Sequence, residues 1–324
     1  TTAQAAALRS TQLAALNTLQ ISKLESDDVA ALTTAAIQGL STDHIVALTS
    51  DQIQALKTAQ VAALTTAQVA ALQTMDLAAM TTNQVAAFRS TQIAALNTQQ
   101  INKMETDDIA ALTAAALQGL NSDQVRALST DAIVGMTSSQ VAALSTANVA
   151  AMTTLQIANM ETADLAALTT AQVVGLTSDQ LVALTSDQVS SLKTAQVAAI
   201  ETADIGAMQT IDLAALTTAQ AAALRSSQIA AMTTLQISKM ESDDVAALTT
   251  AAVQGLTSDQ IVALGTDQIQ ALKTAQVAAL TTAQVAALQT IDLAAMTSNQ
   301  VAAFSSKQIA ALNTQQIRNM ETED

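Results

Sequence analysis

The chain has 324 residues, half of them apolar and 12% charged, with a net charge of −15 at pH 7, a mean hydropathy of +0.33 and no Pro, Cys, Trp or Tyr. Without Cys there are no disulfides, thiolate nucleophiles or Cys-ligated metals, and without aromatic bulk any core must be built from small side chains packed closely. The acidic balance, lacking any basic stripe, excludes the electrostatic footprint of a nucleic-acid or anionic-membrane binder.

From the first residues the chain is an octad array. Leu8, Leu16, Leu24 and Leu32 open a column of large apolar residues that recurs at every eighth position to Met320, and a second column, beginning Ala5, Leu13, Ile21, Val29, runs three residues ahead of it. The apolar pair at positions 5 and 8 of each octad has the i, i+3 spacing of one helix face, and strand-like alternation is missing. A single long helix fails, because eight residues at ~100° each overshoot two turns by ~80° and the pair would wander around the helix. The spacing therefore predicts a short helix that breaks and restarts in each unit.

Polar positions mark the restarts. Thr, Ser or Asn fills position 1 in most octads, and position 2 is Thr or Ser everywhere but Ala114; these are N-cap residues. In Thr49-Ser50-Asp51-Gln52, Thr49 fits as the cap with Gln52 completing a capping box, whereas Lys57-Thr58-Ala59-Gln60 fits Thr58 as the cap. All twenty Asp fall at positions 3 and 4, the first helical turn, where the helix dipole favours them. Helices this short are unstable alone. The expectation is an all-α solenoid or superhelix, one short helix per octapeptide, with positions 5 and 8 inward, the Ala-rich positions 6 and 7 allowing close approach, and an elongated rod or filament as the result.

Domain organisation follows from the repeat. Residues 1–324 read as a single continuous array, and residues 1–108 recur at 217–324 with about five in six positions identical, so the chain reads as a window of a longer array with a 216-residue long period. No run is long enough to span a bilayer, since Thr, Ser, Gln or Asp interrupts every octad.

Candidate chemistry is sparse. The acidic runs Glu25-Ser26-Asp27-Asp28, Glu105-Thr106-Asp107-Asp108 and Glu241-Ser242-Asp243-Asp244 carry oxygen ligands that suit Ca²⁺ but match no EF-hand spacing, and a solvated first turn accounts for them. His44, the single histidine, stands where other units have Gln and has no partner for a triad or zinc site. Gly39, Gly119, Gly175 and Gly255 at position 7 read as close helix contacts, there being no phosphate-loop motif around them. Met, with Phe88 and Phe304, replaces Leu in its own column and reads as core filling. No catalytic, cofactor-binding or metal residue is assigned, no cofactor is implied, and no enzyme activity is expected.

Tandem units such as Leu64-Thr65-Thr66-Ala67-Gln68-Val69-Ala70-Ala71-Leu72 resemble the Ala/Thr/Gln-rich octapeptide arrays of long bacterial surface and adhesin-like proteins. The resemblance covers the whole chain and carries no binding residues to transfer. It implies an extracellular or cell-surface structural element, a stalk, filament or sheath component that self-associates. Two alternatives remain: an α-solenoid that binds a ligand on its outward positions, and an ice- or surface-binding adhesin that uses ordered Thr hydroxyls.

Overall fold

The structure, a computed structural model, describes residues 1–320. The last four, Glu321–Asp324, begin a forty-first octad and lie outside the described residues. Forty helices of four to six residues, from α1 (Thr2–Ala6) to α40 (Thr314–Arg318), follow one another, one per octad and numbered with it. Among the described residues helices are the only regular elements.

Each helix starts and stops for local reasons. In α9 (Thr66–Ala70), Thr65 is extended at φ −72°, ψ 159° and its hydroxyl accepts the Gln68 N–H, while the Gln68 side chain returns a bond to the Thr65 N–H, a capping box. In α8 (Thr58–Ala63) the helix ends at Leu64, extended at φ −56°, ψ 138°. Two successive extended residues, position 8 and the next position 1, make the corner. No described residue has a positive φ, so these corners need neither glycine nor a left-handed C-cap.

The cap falls at position 1 even where its side chain cannot cap. Lys57, not Thr58, is the N-cap of α8, and Arg9, Glu25 and Gly265 occupy the same place before their helices. At Arg9, Lys57 and Gly265 the reason lies at position 4: a Gln Oε1 accepts the position-1 N–H, as Gln60 does from Lys57 at 2.6 Å, so half of the capping box is supplied without a capping side chain.

Helices stack three octads apart. α4 (Ser26–Ala31) packs on α1 and on α7 (Ser50–Ala55), which packs on α10 (Thr74–Ala79); three helices therefore complete one coil. The chain forms two compact units, Thr1–Ala167 and Leu168–Asp324. The second repeats the pattern, with α28 (Thr218–Ala222) on α31 (Ser242–Ala247) and α31 on α34 (Thr266–Ala271).

Both apolar columns face inward as expected. Position 5 is buried from Ala5 to Val301 and position 8 from Leu32 to Met296. Each such side chain contributes roughly 1.5–3 kcal/mol of burial, which is what holds helices too short to persist alone. Position 3 is outward, as at exposed Asp51, Ala59 and Ala67. Three octads need glycine at position 7: a Cβ at Gly39 would collide with the backbone of Ser10, on the helix three octads back, and Gly119 and Gly255 meet Ser90 and Ser226 in the same way.

Candidate functional site: the position-4 joint between coils

The least expected feature lies at position 4. This position is Gln in 26 octads, Asp in eight, Ala in four, and His44 and Asn148 once each, and never Glu. From His44 to Gln316 the Gln, His, Asn and Asp side chains at this position are buried. They are buried because they join coils.

Gln92 is representative. Its Oε1 accepts the Arg89 N–H of its own helix start at 2.9 Å, and its Nε2 donates to the carbonyls of Val61 and Leu64, both at 2.9 Å. The two carbonyls belong to positions 5 and 8, at the C-terminal end of the octad four earlier. A helix end leaves such carbonyls without intrahelical partners. Thus one amide closes the N-terminus of one helix and the C-terminus of another, one coil away. Gln52, Gln124 and Gln284 repeat the arrangement on Ile21 and Leu24, Ile93 and Leu96, and Val253 and Leu256. Gln4, Gln12 and Gln20, in the first coil, keep the bond within their own octad but are exposed, having no coil beneath.

His44 is explained by the same geometry. Nδ1 accepts the Ser41 N–H at 3.2 Å and Nε2 lies 2.8 Å from the Leu16 carbonyl, so it stands in for the Gln amide. These partners call for the Nε2–H tautomer. Asn148, one methylene shorter than Gln, still donates to the Leu120 carbonyl at 3.0 Å.

The eight Asp octads are built differently. Among the forty complete octads every one of these carries Glu or Gln at position 1, and no other does. A carboxylate cannot donate to the carbonyls below, and at Asp76, Asp164 and Asp212 it accepts from a position-2 hydroxyl of the helix three octads back: from Ser50 at 3.0 Å, Ser138 at 2.6 Å and Ser186 at 2.8 Å respectively. Where position 1 is Gln, that amide takes over the inter-coil bond, as from Gln73 to Val46 O at 2.9 Å and from Gln289 to Val262 O at 2.7 Å. Burial raises the carboxyls of Asp76, Asp108, Asp244 and Asp292 above the usual Asp range, against the opposing pull of their hydrogen bonds. The second oxygen of Asp164 is buried without a hydrogen-bond partner.

The acidic runs therefore divide. Asp107 and Asp243 at position 3 are exposed, as a solvated first turn requires, but Asp108 and Asp244 at position 4 are buried in the joint. Among the described residues no three His, Asp or Glu side chains come together as a metal site. The clefts in the surface are shallow notches between stacked helices. One of about 420 Å³ is lined by Ser226, Ser227, Ala230, Ala251, Gln254 and Gly255, and one of about 410 Å³ by the equivalent residues around Gly39; neither holds a titratable group. Six large apolar side chains at position 3, Leu19, Met75, Leu155, Ile211, Leu235 and Ile291, are 57–69% exposed. Among the described residues no helix is long and apolar enough to cross a membrane.

The sequence reasoning found the capping half of the Gln and missed the inter-coil half. The signal was the absence of Glu: a capping box accepts Glu as readily as Gln, so a column of Gln without one Glu marks a needed donor.

The protein family described as ALTTAQ repeat matches the chain at residues 21–58, 69–104, 101–137, 124–154, 157–194, 197–234, 237–274 and 285–322. No match was found among curated proteins.

Proposed function

We propose that this chain, which belongs to the ALTTAQ repeat family, is a structural element whose task is to provide length: an extracellular stalk, filament or sheath component at a bacterial cell surface that associates with further copies of itself. The observation that carries the reading is where the polar side chains are used. The Gln, Asn and His at position 4 and the capping hydroxyls at position 1 close helix ends and join coils, and the two clefts around Gly39 and Gly255 lack titratable groups. An array that uses its chemistry on its own joints is suited to bearing shape. We expect no catalysis from it, since among the described residues no base, nucleophile and oxyanion donor converge.

The two alternatives have less support. Thr hydroxyls at position 1, such as Thr65, are engaged in caps, which leaves fewer of them to order water as an ice-binding face would need. A ligand-reading solenoid would use the apolar residues at position 3, yet in the first unit Leu19, Met75 and Leu155 sit on α3 (Thr18–Ser22), α10 and α20 (Thr154–Asn159), no two of which pack together.

Electron microscopy of native cells, with gold-labelled antibody raised to this chain, tests the proposal. Label along surface threads or filaments of uniform width is expected. Label confined to the cell interior, or on discrete globular particles, would refute it.

A further inference from the structure

The position-4 joints fall into two chemical kinds. At a Gln joint the amide donates to the position-8 carbonyl twenty-eight residues earlier, as from Gln92 to Leu64 O. At an Asp joint the carbonyls at the same spacing are those of Leu48 for Asp76, Met80 for Asp108, Leu216 for Asp244 and Leu264 for Asp292, and an ionised carboxylate can only accept. Asn148 has the size and shape of a neutral Asp, and it does reach its carbonyl, Leu120 O, at 3.0 Å. We propose that the octads of Asp76, Asp108, Asp244 and Asp292 hold acid-set joints, loose when the buried carboxyl is ionised and tightened on protonation, when its O–H donates to the carbonyl of the coil beneath.

The surroundings favour the neutral form at these four sites. Asp76 is packed between α7, which carries exposed Asp51, and α13 (Thr98–Asn102), which has no ionisable side chain and is followed by Lys103. Asp108 has Glu105 and Asp107 in its own octad and Asp131 on α17 (Thr130–Val134); α11 (Thr82–Val85) adds none. Glu241 and Asp243 flank Asp244, with Asp267 on α34 and nothing ionisable on α28. Asp292 meets Asp267 on α34 and Arg318 on α40. Apart from Lys103 and Arg318 these neighbours are acidic, and no ion pair to any of the four Asp is formed among the described residues.

The sign follows. Burial raises these carboxyls in the folded chain, so the folded state holds the protons more tightly than the unfolded one. The stabilisation is fully present below the unfolded Asp value of about 3.9 and is lost as pH rises through the raised folded values.

The test compares two fourfold variants of the full chain by thermal unfolding at about pH 7 and at about pH 4, near the unfolded Asp value. One carries D76N, D108N, D244N and D292N; the other carries D43N, D179N, D187N and D259N, four exposed position-3 residues that match the change in charge. The unsubstituted chain and the exposed-site variant should both melt higher at the acid pH, and the buried-site variant should melt alike at both. Carboxyl ¹³C titration of the unsubstituted chain gives a readout that needs no variant: these four Asp should take up protons above the usual Asp range, over the range where melting rises. Equal pH responses in the two variants, or the absence of that early-protonating group, would overturn the proposal.

Discussion

Replacing Gln92 by Glu isolates the inter-coil half of the joint, because Glu keeps the acceptor that closes the capping box and removes the donor. The Arg89 N–H bond survives, and the bonds to Val61 O and Leu64 O are lost. Val61 O retains the Leu64 N–H at 3.1 Å, so its loss is an ordinary hydrogen bond, about 0.5–1.5 kcal/mol. The fully buried Leu64 O loses its side-chain donor, which costs about 1–3 kcal/mol. The sum is about 1.5–4.5 kcal/mol, before the penalty for a buried charge, which raises the Glu carboxyl and adds to the loss above its folded value. A repeat array does not unfold as one two-state unit, so the readout is local: hydrogen exchange across α9 and α12 (Ser90–Ala95). Opening of that joint should rise roughly tenfold or more. Gln4→Glu is the control, since exposed Gln4 has no coil beneath it, and its exchange should be unchanged. Equal effects at Gln92 and Gln4 would show that the amides cap helices without tying coils.

Three further outcomes follow from burial and contact. Leu64→Asp should lower the melting temperature sharply, by several kcal/mol of buried charge, while Ala67→Asp, on the exposed side, should leave it unchanged or slightly higher; equal melting temperatures would contradict an inward position 8. Gly119→Ala should cost about 1–3 kcal/mol locally, read by hydrogen exchange across α12 and α15 (Ala114–Leu117), since its Cβ would strike the Ser90 backbone. Gly265→Ala, whose Cβ would meet nothing nearer than Gln268 Oε1 at 3.8 Å, should be neutral or stabilising by about 0.4–1 kcal/mol. Ala36→Gln should raise the melting temperature through about 0.5–1.5 kcal/mol, by placing an amide in the cleft of about 550 Å³ beside Leu8 and Arg9; a fall would show that the cleft does not admit the tie.

How much of this was legible beforehand depends on whether a feature is local or between coils. The helix in every octad and the inward faces of positions 5 and 8 are local, written in the i, i+3 spacing and the caps. The number of octads per coil is not, because an eight-residue period is the same for any number of helices per turn. The position-4 joint lies between these cases. Gln92 and Arg89 are three residues apart and the capping box is visible from their spacing, but Leu64 is twenty-eight residues away, and that distance acquires meaning only when three helices complete a coil. The choice of Lys57 over Thr58 as N-cap was missed for the same reason: Gln60 is held in place by Val29 and Leu32, on the coil below. Asp108 and Asp244 looked like solvated first-turn residues because position 4 is near a helix start, and only the stacked helix shows that it is covered.

The central claim is that residues three octads apart are neighbours. Spin labels at Ala67 and Thr91, exposed position-3 sites on the packed helices α9 and α12, measure it directly by electron paramagnetic resonance. Helix packing places them at about 10 Å before the reach of the labels is added, and a pair at Ala67 and Asn83, two octads apart on helices that do not pack, should be farther apart despite the shorter stretch of chain. A separation near 36 Å for the twenty-four-residue pair, the length of an unbroken helix at 1.5 Å per residue, or a longer distance than for the sixteen-residue pair, would contradict three octads per coil and the joints built on it.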